Sequence, residues 1–384
     1  MEKLQMNRPL GVAAVAAAAC LVSAYLYVRP ALRHRVKPRP TAVARSRTEK
    51  SSGEGHPYPP DVFPGARDVE TPYGSIKVFE WGPEDGEKVL LLHGIGTPGI
   101  ALGDMAKAFV ARGCRVMLFD LFGRGYSDAP TDLPYDERLY VSQILLVLAS
   151  SSLPWSGSES FHIIGYSLGG ALAAAFAAYF PHMLRSATLV CPGGLVRPSH
   201  VSIKSRLLYS EGLLPESLVH RLVRRRLEPQ SGQSADVPTD GGNNEEGSYP
   251  DFDSVPLSTA RQATRVGDVM KWQLEMNQGY VGAYISTIRN APIYGHHNGL
   301  WRRLSERLGE RRATSGDVLP PGLPGGKVCL ILADTDPVVV AEEWIEDSRA
   351  VLGEDGVHIH VIPGGHEIAL SKGEVVAELA IAEW

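Results

Sequence analysis

Cysteine is scarce in this chain: 384 residues hold four, and no two stand in the C-x-x-C spacing of a zinc or redox site. That excludes a disulfide framework and a cysteine-built metal centre. Cys20 lies in an N-terminal apolar run, while Cys114, Cys191 and Cys329 sit in or beside strand-like segments, where a free thiol behaves as a small buried hydrophobe. Basic charge is not in excess either, since 38 Lys and Arg face 43 Asp and Glu for a net charge of -5. No global positive field attracts phosphates, so no nucleic-acid partner is expected. There is no N-x-S/T sequon and no paired-cysteine pattern, which argues against a lumenal or secreted domain. No internal repeat is evident. What remains is ordinary for a globular protein, 44% hydrophobic and 21% charged, in a chain long enough for one enzyme-sized core with an appendage.

The appendage is N-terminal. Residues 9-28 read PLGVAAVAAAACLVSAYLYV, twenty residues without a charge, which as a helix would span about 30 Å of hydrocarbon. The reading is a transmembrane signal anchor over 9-28 after a flank at 1-8, with a signal peptide cut near Val22-Ser23-Ala24, and hence a secreted protein, as the alternative. Arg29, Arg33, Arg35, Lys37 and Arg39 follow the run, against Lys3, Arg8 and Glu2 before it. This bias predicts a single-pass protein with a cytosol-facing catalytic domain, on the endoplasmic reticulum or the mitochondrial outer membrane. Residues 29-61, rich in Pro and basic side chains, read as a linker.

Beyond the linker, strand and helix patterns alternate. A hairpin over Arg67 to Trp81 turns near Tyr73-Gly74, and Lys88 to Leu92, Val116 to Leu121, Phe161 to Gly165 and Ser186 to Val190 read as strands. Helical spacing covers Ile100 to Arg112, Tyr135 to Leu153 and Leu168 to Phe180. Alternation breaks over 196-304, a cap insertion of helical pieces containing a disordered loop at 228-255. It resumes with strands at Val328 to Ala333 and Val357 to Ile362, and helices near Val339 to Leu352 and from Glu367 onward. The prediction is an α/β fold with a mainly parallel central sheet, helices on both faces and a helical cap, its core divided into 62-195 and 305-384.

The chemistry centres on Gly165-Tyr166-Ser167-Leu168-Gly169, a G-x-S-x-G run placed where a strand meets a helix. Gly165 and Gly169 leave room for a sharp turn that holds the Ser167 hydroxyl above the sheet edge. A serine hydroxyl needs a general base. His366, just past the last strand, is placed to be that base, whereas His358 and His360 lie within the strand, and His296 and His297 in the cap. A carboxylate must orient the imidazole, and Leu332-Ala333-Asp334-Thr335-Asp336-Pro337 offers two. Asp336 is preferred because it lies further past the strand end, with Asp334 holding the turn. The oxyanion donors are the amides of Leu168, after the nucleophile, and Ile95, in the loop His93-Gly94-Ile95-Gly96, where Gly94 and Gly96 allow close approach. His93 reads as structural.

These runs, with Asp120-Leu121-Phe122-Gly123-Arg124-Gly125-Tyr126-Ser127 and Gly365-His366, resemble the successive signatures of the α/β-hydrolase superfamily over about residues 62 to 384. The chain looks like the capped serine-hydrolase branch that holds monoacylglycerol lipases and carboxylesterases. In relatives, the run at 120-127 shapes the core beside the site. Serine rather than aspartate at the elbow argues against epoxide-hydrolase or dehalogenase chemistry, and Ala333 replaces a glycine common three residues before the acid. The expectation is a serine hydrolase that cleaves a small-molecule or lipid-like carboxylic ester through an acyl-enzyme, with no cofactor and no metal. An acyltransferase or thioesterase using the same triad is one alternative. A non-catalytic membrane-anchored binding or scaffold protein is the other.

Overall fold

The computed structural model describes residues 17-23, 25, 43-44, 56-229, 252-295, 297-313 and 322-384. The chain divides into two units, Met1–Ala42 and Val43–Trp384. In the first, residues 17-23 and 25 are helical and exposed. The rest of the expected anchor over 9-28 lies outside the described residues, and among those described no helix is long and apolar enough to cross a membrane. The signal anchor predicted from the sequence therefore has no support in this structure.

In the second unit, eight strands form one sheet. They are β1 Arg67–Thr71, β2 Gly74–Trp81, β3 Lys88–Leu92, β4 Arg115–Phe119, β5 Phe161–Tyr166, β6 Leu184–Val190, β7 Val328–Ala333 and β8 Val357–Ile362. Their order is β8-β7-β6-β5-β3-β4-β2-β1. Every pairing is parallel except the two made by β2. The central strands read as near-continuous apolar runs because both of their faces are covered. Every residue of β3, β5 and β7 is buried, including Lys88, whose ammonium meets Glu159 Oε2 at 2.5 Å.

The first covering helices are α1 Gly103–Ala111, α2 Glu137–Ala149 and α3 Leu168–Tyr179. Asp136 caps α2 by accepting the amides of Arg138 and Leu139, so that helix starts two residues after the Tyr135 expected from spacing. Four helices make the cap: α4 Ile203–Tyr209, α5 Glu216–Leu227, α6 Val266–Met276 and α7 Tyr280–Asn290. Most of the loop expected to be disordered, residues 230-251, lies outside the described residues. Helix α8, Arg302–Ala313, packs on α3 and on α9, Ala341–Leu352. It buries Leu304 and Leu308 there, so the core resumes slightly before the boundary expected at 304. The chain closes with α10 Ile368–Ser371 and α11 Gly373–Ala382, where one helix was expected.

In a parallel sheet all carboxyl ends share one edge, so the segments following β3, β5 and β7 and the loop after β8 open on the same side. This brings residues 93-96, 167-168, 334-336 and 366 together across 273 positions of sequence.

Candidate active site

The turn between β5 and α3 holds one of the three non-glycine residues with positive φ among the described residues. Ser167 takes φ 54° and ψ -118°, a conformation that costs a non-glycine residue about 1–3 kcal/mol and persists only when its surroundings over-determine it. They do so here. The Ser167 amide donates to the Val190 carbonyl at 3.0 Å, and its own carbonyl accepts from Gly170 and Gly193, each at 2.9 Å. The flanking glycines are required by space. A Cβ on Gly165 would stand 2.0 Å from the Gly169 carbonyl oxygen, and one on Gly169 would stand 2.2 Å from that of Leu92.

Ser167, His366 and Asp336 form one hydrogen-bonded chain. His366 Nε2 lies 3.0 Å from Ser167 Oγ, and Nδ1 lies 2.7 Å from Asp336 Oδ2. All three are buried, with Ser167 at 9% exposure. The other oxygen of Asp336 accepts the amides of Val338 and Val339 at 2.8 and 2.9 Å, which fixes the carboxylate before histidine meets it. Asp334 Oδ1 accepts the Gly364 amide at 2.9 Å, which ties the β7 and β8 loops together rather than closing its own turn. Tyr166, next to the nucleophile, donates its hydroxyl to the His366 carbonyl at 2.8 Å. Phe252 of the cap stands over the imidazole with ring centroids 6.4 Å apart.

The two expected oxyanion donors flank this chain. Among the described residues, the amides of Ile95 and Leu168 have no protein acceptor, and Leu168 opens α3, where the helix dipole favours negative charge. His93 explains how the first donor is aimed. Burial holds its pKa down to about 3, so the ring is neutral; Nδ1 donates to the Gly94 carbonyl at 2.8 Å and Nε2 accepts the Leu121 amide at 2.8 Å. A planar trans peptide directs its N–H opposite to its C=O. Gripping the Gly94 oxygen therefore sets the direction of the Ile95 N–H.

Sequence reasoning missed four residues of this shell. Cys191, just past β6 with φ 39°, places its thiol within 4.8 Å of the Asp336 carboxylate and the His366 ring. Burial, followed by the Asp336 charge, pushes its pKa well up, so it stays a thiol. Arg124 is fully buried, and its guanidinium donates to the Ile95 carbonyl (3.0 Å), the Phe122 carbonyl, Tyr140 and the cap's Thr287. Gln273 of the cap donates to the Gly96 carbonyl at 2.9 Å and accepts the Gly125 amide at 2.8 Å, while Tyr280 also reaches Gly96 at 3.3 Å. Spacing alone carried a hint of this. Gln273 falls on the buried stripe of α6 with Val266, Val269 and Met270, a polar residue at an apolar position.

The cap also holds a cleft of about 560 Å³ lined by Arg224, Asp253, Arg265 and Lys271. None of Ser167, His366 or Asp336 borders it, so it is separate from this site.

A strained serine after a parallel strand, a buried histidine and an acid after the seventh strand define a class, and comparison with known proteins agrees. The family model described as alpha/beta hydrolase fold matches residues 88–372, and the chain belongs to that family. A serine hydrolase-like protein of Danio rerio is 30% identical over 135 residues, 35% of this chain and 39% of that protein. The monoacylglycerol lipase ABHD6 of Rattus norvegicus is 29% identical over 117 residues, 30% of this chain and 34% of that protein. The chain thus aligns with well under half the length of these relatives. Among solved structures, a thioesterase domain from the curacin biosynthetic pathway superposes with a TM-score of 0.51 at 19% identity, covering 83% of this chain and 98% of that one. A putative aryl esterase from Burkholderia cenocepacia superposes at 0.53 with 16% identity over 83% and 97%.

Proposed function

We propose that this protein is a serine hydrolase that cleaves carboxylic esters of lipid-like character through an acyl-enzyme on Ser167. The observation that carries the reading is the Ser167–His366–Asp336 chain with contacts of 3.0 and 2.7 Å. His366 Nε2 takes the hydroxyl proton as Ser167 Oγ adds to the ester carbonyl. Asp336 holds the opposite tautomer and stabilises the imidazolium. The amides of Ile95 and Leu168 receive the oxyanion, and His366 returns its proton to the departing alkoxide, leaving the acyl group on Ser167. Water repeats the sequence in the second half, releasing the acid.

Two features favour a lipid-like substrate. The nucleophile is buried beneath a helical cap, which suits an apolar acyl chain. The cap also exposes Ile203, Leu207, Leu213, Leu218 and Leu222 at 41–75%, with Lys204, Arg206, Arg221 and Arg225 exposed among them, an apolar surface with a basic rim that suits an anionic lipid interface. The uncharged run at 9-28 would keep the enzyme at that interface, with its catalytic domain facing the cytosol.

Turnover of a p-nitrophenyl ester series of increasing acyl length tests the reaction. The expected result is activity that rises with chain length and falls about 10⁴-fold or more in Ser167→Ala. Equal activity in Ser167→Ala would overturn it.

A further inference from the structure

Strand β8 is the outer edge of the sheet, and His358 and His360 stand two residues apart on it, hence on one face. Neither takes part in the chemistry at Ser167. Glu383, just after α11, reaches the same face: its Oε1 lies 2.5 Å from His358 Nδ1 and 3.2 Å from His360 Nε2. Its other oxygen lies 3.1 Å from Lys327 Nζ. Two imidazole nitrogens and one carboxylate oxygen thus sit within 4.8 Å of one another.

Two nitrogens and one oxygen are a donor set of borderline divalent ions, zinc above all. A tetrahedral zinc with ligands at ~2.1 Å separates them by about 3.4 Å. The N–O distances of 2.5 and 3.2 Å are short of that by amounts that small side-chain rotations can supply. Such rotation is open to His358, whose side chain is half exposed, and water can complete the shell from the solvent side. The sequence reading, guided by cysteine spacing, expects no metal. A His-x-His pair on a strand gains its third ligand only through the fold.

The geometry points to a binding site for a divalent transition-metal ion of the zinc class, formed by His358, His360 and Glu383, that staples the free edge of the sheet to the end of the last helix. His358 lies at the start of β8 and His366 beyond its far end, so occupancy acts on stability and leaves the reaction at Ser167 alone. Lys327 sets a positive charge against the incoming ion, so its neutralisation favours binding.

The test is zinc titration of the full-length protein, read by calorimetry and by thermal unfolding. One equivalent is expected to raise Tm, and His358→Ala and Glu383→Gln are each expected to weaken binding about a hundredfold, while Lys327→Gln tightens it. His358→Ala is the decisive variant, because a half-exposed side chain can be removed without loss of the fold. It also separates this site from the other described cluster, Cys191, Asp336 and His366, which it does not touch. Unaltered zinc affinity in His358→Ala, or zinc binding without a Tm rise, overturns the proposal. Neither result depends on ester turnover.

Discussion

Several groups of the candidate site are held in place by hydrogen bonds from residues outside the Ser167–His366–Asp336 chain. Asp336 is held by two amides, the Ile95 amide by His93, and the Ile95 and Gly96 carbonyls by Arg124 and Gln273. Gln273 is a positioning residue, acting through the loop it holds. We expect Gln273→Ala to lower kcat about tenfold or more with little change in KM, since a displaced oxyanion donor acts on the transition state. A change confined to KM would contradict that role. Ser167, Asp336, His366, Ile95 and Leu168 were legible in the sequence because each follows a strand in a fixed order. Arg124 and Gln273 were not, because their partners lie across the core or in the cap, with Gln273 and Gly96 177 positions apart.

Elements supply the next level of control, and two buried histidines make them sensitive to acid. His93 after β3 and His162 in β5 both have pKa values held down to about 3 by burial, against 6.5 in the open chain. The unfolded state therefore binds more protons between these values. The stability contributed by the neutral rings is complete above pH 6.5 and is lost as pH falls from 6.5 toward 3, at up to ~1.4 kcal/mol per unit for each ring. Asp120 works the other way. Burial pushes its pKa up to about 6 from 3.8, so acidification across that interval favours the fold and offsets one histidine. We expect Tm to decline as pH is lowered from 6.5, and His162→Gln to flatten the decline. An unchanged slope in that variant would remove His162 from the account.

Strand positions were read from sequence nearly to the residue, because buried parallel strands are short apolar runs bounded by glycine and proline, as in VLLLHG at 89-94. Helix ends were read less well. The α2 start depends on an Asp136 cap, and the last helix divides at Lys372, a break that apolar spacing does not encode.

At the scale of the molecule, the question is where the enzyme meets its substrate. Helix α4 exposes Ile203 and Leu207 one turn apart, and α5 exposes Leu218 and Leu222 likewise, while their other faces bury Tyr209, Val219 and Val223. Arg226 of α5 donates to Ser205 of α4 at 3.1 Å, which ties the two helices together at one point. If this surface meets lipid, Leu218→Glu with Leu222→Glu will lower hydrolysis of an ester presented in anionic vesicles several-fold and leave a soluble short-chain ester unaffected. Equal loss on both substrates would instead indicate damage to the cap. Such a surface escapes a sequence reading because α4 and α5 carry apolar residues on two faces, and spacing does not say which face the core takes.

The central claim is that Ser167 is an activated nucleophile. A fluorophosphonate probe, which captures such serines covalently, tests it most directly when the adduct is mapped by peptide mass spectrometry. One adduct is expected, on Ser167, absent from both Ser167→Ala and His366→Ala. Folded wild-type protein that takes up no probe, or that carries it on another residue, would contradict the account.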